Sequence, residues 1–152
     1  MGTTRVTRTI QAPVEAVFRT VAHIENFREV VPEIVGVEFL TDQKSGVGTR
    51  FRETRLMGRR QASTVLEVTE YVPNERVRLV ADQGGTVWDS VFTTRDRGDG
   101  TVELTLAMDA RAYRLMAKLF NPLIKGFVER AIEKDLEAIK VHCERQVAES
   151  GS

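Results

Sequence analysis

The chain has little of what staples, metal centres and membrane spans are made from. Among 152 residues there is one cysteine, Cys143, so no disulfide can close within the chain, which fits a reducing compartment. Its two histidines, His23 and His142, lie far apart, and no Cys/His/Asp spacing matches a metal site. No apolar run approaches the ~20 residues of a spanning helix, and residues 1–20 carry charges where a signal peptide would place its apolar centre. Net charge is missing as well: 22 Lys and Arg balance 22 Asp and Glu, which argues against a general nucleic-acid binder. The glycines fit neither the phosphate-loop nor the dinucleotide pattern. The expectation is one cytoplasmic domain over residues 1–152, long enough to bury a core. No cofactor, metal, nucleic-acid partner or transmembrane segment is expected with it.

What is present begins with a long helical stretch from Tyr113 to about Val147. Phe120, Leu123, Ile124, Phe127, Ala131, Ile132, Leu136, Ile139, Cys143 and Val147 recur three or four apart and form one apolar stripe. Lys125, Glu129, Arg130, Glu133, Lys134, Glu137 and Lys140 take the wet side. Asn121-Pro122 predicts a kink or restart, an N-cap followed by proline at the first helical position.

Upstream the period differs. Thr4–Ile10 alternates as a strand with Val6, Arg8 and Ile10 on one face. Pro13 opens a short helix with Val14, Val17, Phe18 and Val21 as its stripe, and Ile24–Val30 forms a second that stops before Pro32. From Ile34 to Arg111 the period is two, with turn signals at Gly46/Gly48, Met57-Gly58-Arg59, Pro73-Asn74, Gly84-Gly85 and Asp99-Gly100. Strands joined by such short turns must be antiparallel. Each has one apolar face, so the sheet needs a cover on one side, and only the C-terminal helix is long enough. A twisted sheet curling round one helix leaves a gap where the two diverge.

Several stretches carry a family likeness: VTRTIQAPVEAVFRTV, a strand followed by an Ala-Pro helix start; GVGTRFRETRLMGRRQASTVLEVTEYVPNERV, two strands and an E-x-x-P-x-x-R turn; DGTVELTLAMD, a last strand; and the closing helix. Over nearly its whole length the chain resembles the START-like or SRPBCC superfamily, especially its polyketide cyclase/dehydrase and coenzyme-Q-binding branches. The resemblance implies an α+β helix-grip fold: a seven-stranded antiparallel sheet wrapped around a long C-terminal helix, with two short helices between strands 1 and 2. It implies a cavity for a small hydrophobic or aromatic molecule, polyketide-, isoprenoid- or lipid-like. It carries no catalytic residue over to this chain, and Arg8 stands where the family usually has a small polar residue.

Strand parity places Phe51, Leu66, Val77, Leu79, Trp88, Phe92, Leu104, Leu106 and Met108 on the inner face, opposite Phe120, Ile124 and Phe127. Each is either plain core or the wall of a pocket of roughly 300–1,000 Å³. Trp88 and Phe92 offer flat contact area to a planar ligand. Glu53 and Arg55 share the parity of Phe51, and Arg8 that of Val6. Buried charges must pair, reach water or bind something polar. Either these form an ion pair at the wet end of the sheet, or Arg8 or Arg55 grips a carboxylate, phenolate or ketone oxygen while Glu53 accepts a proton. Glu53 is the one candidate acid–base group. Arg50, Arg52, Arg55, Arg59 and Arg60 crowd one hairpin, and as a cluster they read as a solvated strand face. Ser63, Thr64 and Ser90 have no indicated histidine base. Leu115, Met116, Leu119, Phe120, Leu123 and Ile124 cover more than one helix face. That fits burial on two sides, a gate over the pocket, or a contact with a membrane, a homodimer mate or another protein. Three functions follow: a carrier, a polyketide cyclase/dehydratase acting by proton transfer, and a protein-interaction module.

Overall fold

The computed structural model describes residues 2–112 and 122–150. Strand β1 (Gly2–Ile10) leads into helices α1 (Val14–Ala22) and α2 (Ile24–Val30). Six strands follow: β2 (Ile34–Phe39), β3 (Arg50–Met57), β4 (Arg60–Val72), β5 (Arg76–Gln83), β6 (Thr86–Asp96) and β7 (Val102–Ala112). Helix α3 (Pro122–Ser150) closes the chain. The strands make one antiparallel sheet in the order β1-β7-β6-β5-β4-β3-β2, the helix-grip arrangement. Among the described residues no helix is long and apolar enough to cross a membrane.

Local chemistry sets the element ends. Pro13 is not the first helical residue but the N-cap of α1, because its ψ of 147° is extended; its carbonyl still accepts from the N–H groups of Ala16 and Val17. Val31, next to Pro32, is extended at φ −103° and ψ 100°, and α2 stops before it. The β5–β6 turn uses Gly84 and Gly85 at φ 63° and 86°, the left-handed geometry that a tight two-residue hairpin needs. Residues Tyr113–Asn121 of the expected helix, and with them the expected kink or restart at Asn121-Pro122, lie outside the described residues.

The sheet bends. β4 runs for 13 residues and its pairing with β5 shifts register between Val68 and Glu70, while β2 shifts against β3 between Ile34 and Gly36. Such bulges add twist and curvature to a long strand. The concave face carries the apolar residues. On the convex face arginines pair with acids across strands, Arg78 with Asp89 and Glu70, Arg50 with Glu67, Arg52 with Glu38.

Helix α3 does not lie centrally in this trough. It packs chiefly on β1, the sheet edge, through Ile132, Leu136, Ile139 and Cys143, all buried in one core with Val6, Ile10 and Val17. Polar ties reinforce that edge. Lys140 Nζ donates to the Thr9 carbonyl at 2.9 Å, the Gln11 N–H donates to Glu144 Oε2 at 2.9 Å, and Arg8 Nε reaches Glu137 Oε2 at 3.3 Å. With the helix seated on one edge, the middle of the sheet faces open space.

Candidate functional site

That space is a cavity of about 510 Å³ between the concave sheet and the first half of α3. Its floor is built by the inward positions of β3 to β7: Phe51, Leu66, Leu79, Trp88, Phe92, Leu106 and Met108. Phe127, Val128, Ala131 and Ile132 of α3 roof it, and Val21, Ile24 and Phe27 of the short helices close one end. Phe27 meets Phe92 edge to face at 5.9 Å between ring centres, which stiffens that end wall. Phe127 and Met57 line the cavity yet are 50% and 45% exposed, so they mark its mouth, beside the tip of the β3–β4 hairpin.

Three residues expected on the cavity wall are elsewhere, and one of them, Val77, is fully buried core that does not line it. Leu104 is wholly buried core: it lies across from Arg8 in the β1–β7 register, where α3 sits down on the sheet and leaves no gap. Arg8 points to the same side as Val6 and Ile10 but spends its guanidinium on Glu137 and on the carbonyl of Thr7. It does not line the cavity. Phe120 and the side chain of Ile124 lie outside the described residues, as does the apolar patch from Leu115. Arg8→Ala is therefore expected to leave ligand binding unchanged and to cost less than about 1 kcal/mol, as for other exposed ion pairs. Urea unfolding beside a ligand titration checks both.

The polar part of the wall is a three-member cluster. Glu53 and Arg55 sit on β3 at the inward parity of Phe51, and Asp135 comes down from α3. Arg55 presents its fork to Asp135, Nη2 to Oδ2 at 3.1 Å and Nη1 to Oδ1 at 3.4 Å, while Nε donates to Glu53 Oε1. Burial pulls the Arg55 guanidinium down, but the two carboxylates more than reverse this and hold it above its ordinary value. Asp135 is 7% exposed, and burial raises its carboxyl above the usual range; Arg55 opposes that rise, and Glu33 and Glu53 add to it. The neutral polar wall groups are Thr64, paired with Glu53 across the β3–β4 ladder, with Ser90 and Gln83.

Sequence reasoning missed Asp135, although a signal existed. Val128, Ile132, Asp135 and Ile139 step by four, three and four, so the carboxylate occupies a place on the apolar stripe itself. An acid at such a place needs a partner, and Arg55 had the matching inward parity.

Other candidates are accounted for by their neighbours. His23 Nε2 and the Tyr71 hydroxyl are 3.3 Å apart, and Ser63 Oγ bonds Thr54 Oγ1 at 2.8 Å. Among the described residues no group of His, Cys, Asp or Glu is placed to hold a metal ion.

Comparison with known proteins bears on the same fold. The family model described as polyketide cyclase/dehydrase and lipid transport matches residues 1–144. No curated protein matches the chain. Among solved structures it is similar to a START superfamily protein from Mycobacterium smegmatis (TM-score 0.78, 16% identity, 95% of this chain and 98% of that one). It is also similar to a protein from Thermus thermophilus, TTHA0849 (TM-score 0.71, 19% identity, 99% and 100% of the two chains). A third is the di-domain ARO/CYC BexL from the BE-7585A biosynthetic pathway (TM-score 0.76, 18% identity), of which the match spans 97% of this chain and 48% of that one. At these identities the likeness is one of fold.

Proposed function

Since the chain belongs to the polyketide cyclase/dehydrase and lipid transport family, we propose that it binds one small, mostly apolar molecule between the sheet and α3. The observation that carries this reading is the cavity of about 510 Å³, walled among the described residues by aromatic and aliphatic side chains with one ionic cluster. Small-molecule sites have this size and makeup, with few polar groups to orient the ligand. The proposed contacts are Phe51, Leu66, Leu79, Trp88, Phe92, Leu106, Met108 and Phe127, with Glu53, Arg55 and Asp135 as the polar end. Ligand classes of matching shape and polarity are polyketide-, isoprenoid- and lipid-like molecules.

Trp88 is the single tryptophan and stands on the wall, so it reports occupancy directly. Titration with Nile red, a neutral polycyclic dye, is expected to quench Trp88 emission saturably at micromolar concentration. Native mass spectrometry of freshly purified protein is expected to show a co-purified small molecule. The absence of both quenching and an added mass would overturn the reading.

A second reading makes the same cavity an active site of cyclase or dehydratase type. It is favoured by Asp135, whose carboxyl burial has raised, beside Arg55 and facing the cavity. A carboxyl raised in this way keeps its proton to higher pH than an ordinary aspartate, the direction an acid–base group needs, and Glu53 is the second acid–base candidate. Turnover of an aromatic polyketide mimic that is lost in Asp135→Asn while Nile red still binds would support it; turnover kept in both Asp135→Asn and Glu53→Gln would remove it.

A further inference from the structure

We infer that the cavity selects molecules whose polar end donates a hydrogen bond, a neutral hydroxyl or a protonated amine, and that it turns away carboxylates. The inference rests on the cavity being the binding site and concerns what enters it. Among the described residues the ionisable side chains in its wall are Glu53, Asp135 and Arg55, two acids against one base. Arg55 is already engaged at all three nitrogens: Nε donates to Glu53, and Nη1 and Nη2 to Asp135.

A carboxylate arriving at this cluster would compete with two carboxylates already bound to the arginine. It would also have to lie against their negative charge in a site water screens poorly. Among the described residues two further cations, Lys134 and Arg8, offer no relief, because Lys134 is paired with Glu33 and Arg8 with Glu137, and neither lines the cavity.

Among the carboxylate oxygens of the cluster an acceptor remains open. Only Oε1 of Glu53 binds Arg55; among the described residues Oε2 has no hydrogen-bond partner, and the side chain is 12% exposed. A carboxylate oxygen in a mostly apolar chamber is a strong acceptor for a hydroxyl or an ammonium group. Thr64, paired with Glu53 on the adjacent strand, supplies a hydroxyl that can accept from the same ligand group or donate to it. An arginine at inward parity suggests an anion site by sequence; the two acids convert it into a donor-seeking one.

Three probes of equal chain length test this: 1-decanol, decylamine and decanoate, titrated at pH 7.5 against wild-type protein with Trp88 emission as the readout. Decanol and decylamine are expected to bind roughly tenfold or more tightly than decanoate. Glu53→Gln, checked for an unchanged melting transition, is expected to narrow the gap between decylamine and decanoate. Equal or tighter binding of decanoate by the wild-type protein would overturn the selectivity alone, as would an unchanged gap in folded Glu53→Gln. The wild-type comparison decides even where the variant does not fold. Binding of none of the three, with no quenching by Nile red, would instead overturn the binding-site reading beneath it.

Discussion

Arg55→Met is expected to destabilise the protein by about 3 kcal/mol, the lower end of what removing one partner of a buried ion pair costs. The lower end applies because Arg55 keeps 25% of its side chain exposed and water screens part of the loss. Methionine fills similar volume, so the loss comes from charge. Glu53 and Asp135, 12% and 10% exposed at the side chain, would be left facing each other without a counter-ion. For a chain of this size the change corresponds to a melting temperature lower by roughly 6–12 °C. Adding Asp135→Asn to Arg55→Met is expected to restore most of it, since one neutral amide removes the repulsion. A loss under 1 kcal/mol, or no recovery in the double variant, would mean that the cluster is not held together by charge.

The pH dependence has a definite sign. Burial raises the folded Asp135 carboxyl above its unfolded value, so the folded state holds the proton more tightly. Stability from this group is fully present below the ordinary Asp range near ~3.9 and is lost as pH climbs from there through the raised folded value. Removing Arg55 takes away an influence that lowers Asp135, so in Arg55→Met the loss extends to higher pH. The variant should therefore lie closest to wild type in acid and furthest from it above neutrality.

How much of this was legible in the sequence depends on the kind of order involved. Period-two alternation fixed the inward set of β3 to β7, because a strand allows only two faces; Phe51, Glu53 and Arg55 needed nothing further. The stripe from Ile132 to Cys143 marked the buried face of α3 for the same reason at period 3.6. Partners across the cavity were not legible. Whether Arg55 meets Asp135, 80 positions along the chain, depends on the rotation and offset of α3 over the sheet. Arg8 shows the same limit: its parity is inward, but β1 lies directly under α3, so it finds Glu137 before it finds any cavity. The empty volume depends on α3 resting on one edge, through Ile132, Leu136 and Ile139, instead of along the trough. Local pattern cannot express a tilt between two elements.

Filling that volume separates a true cavity from packed core. Ala131 lies on α3 between the mouth residue Phe127 and Asp135, and it lines the roof. In a well-packed interior, inserting a large ring costs about 1–3 kcal/mol through displaced neighbours. Over open space the new ring instead meets apolar walls already there, such as Leu79 and Met108, and gains burial at about 25 cal/mol per Å². Ala131→Trp is therefore expected to leave the melting temperature unchanged or raised while weakening Nile red and decanol binding at least a hundredfold. Binding is followed here by calorimetry, because the added indole obscures Trp88. A variant that melts several degrees lower would show the roof seated on the floor with no room between them. One that keeps wild-type affinity would show that ligand, where it binds, lies outside this chamber. Stability and binding thus move in opposite directions only if the space under α3 is both empty and used.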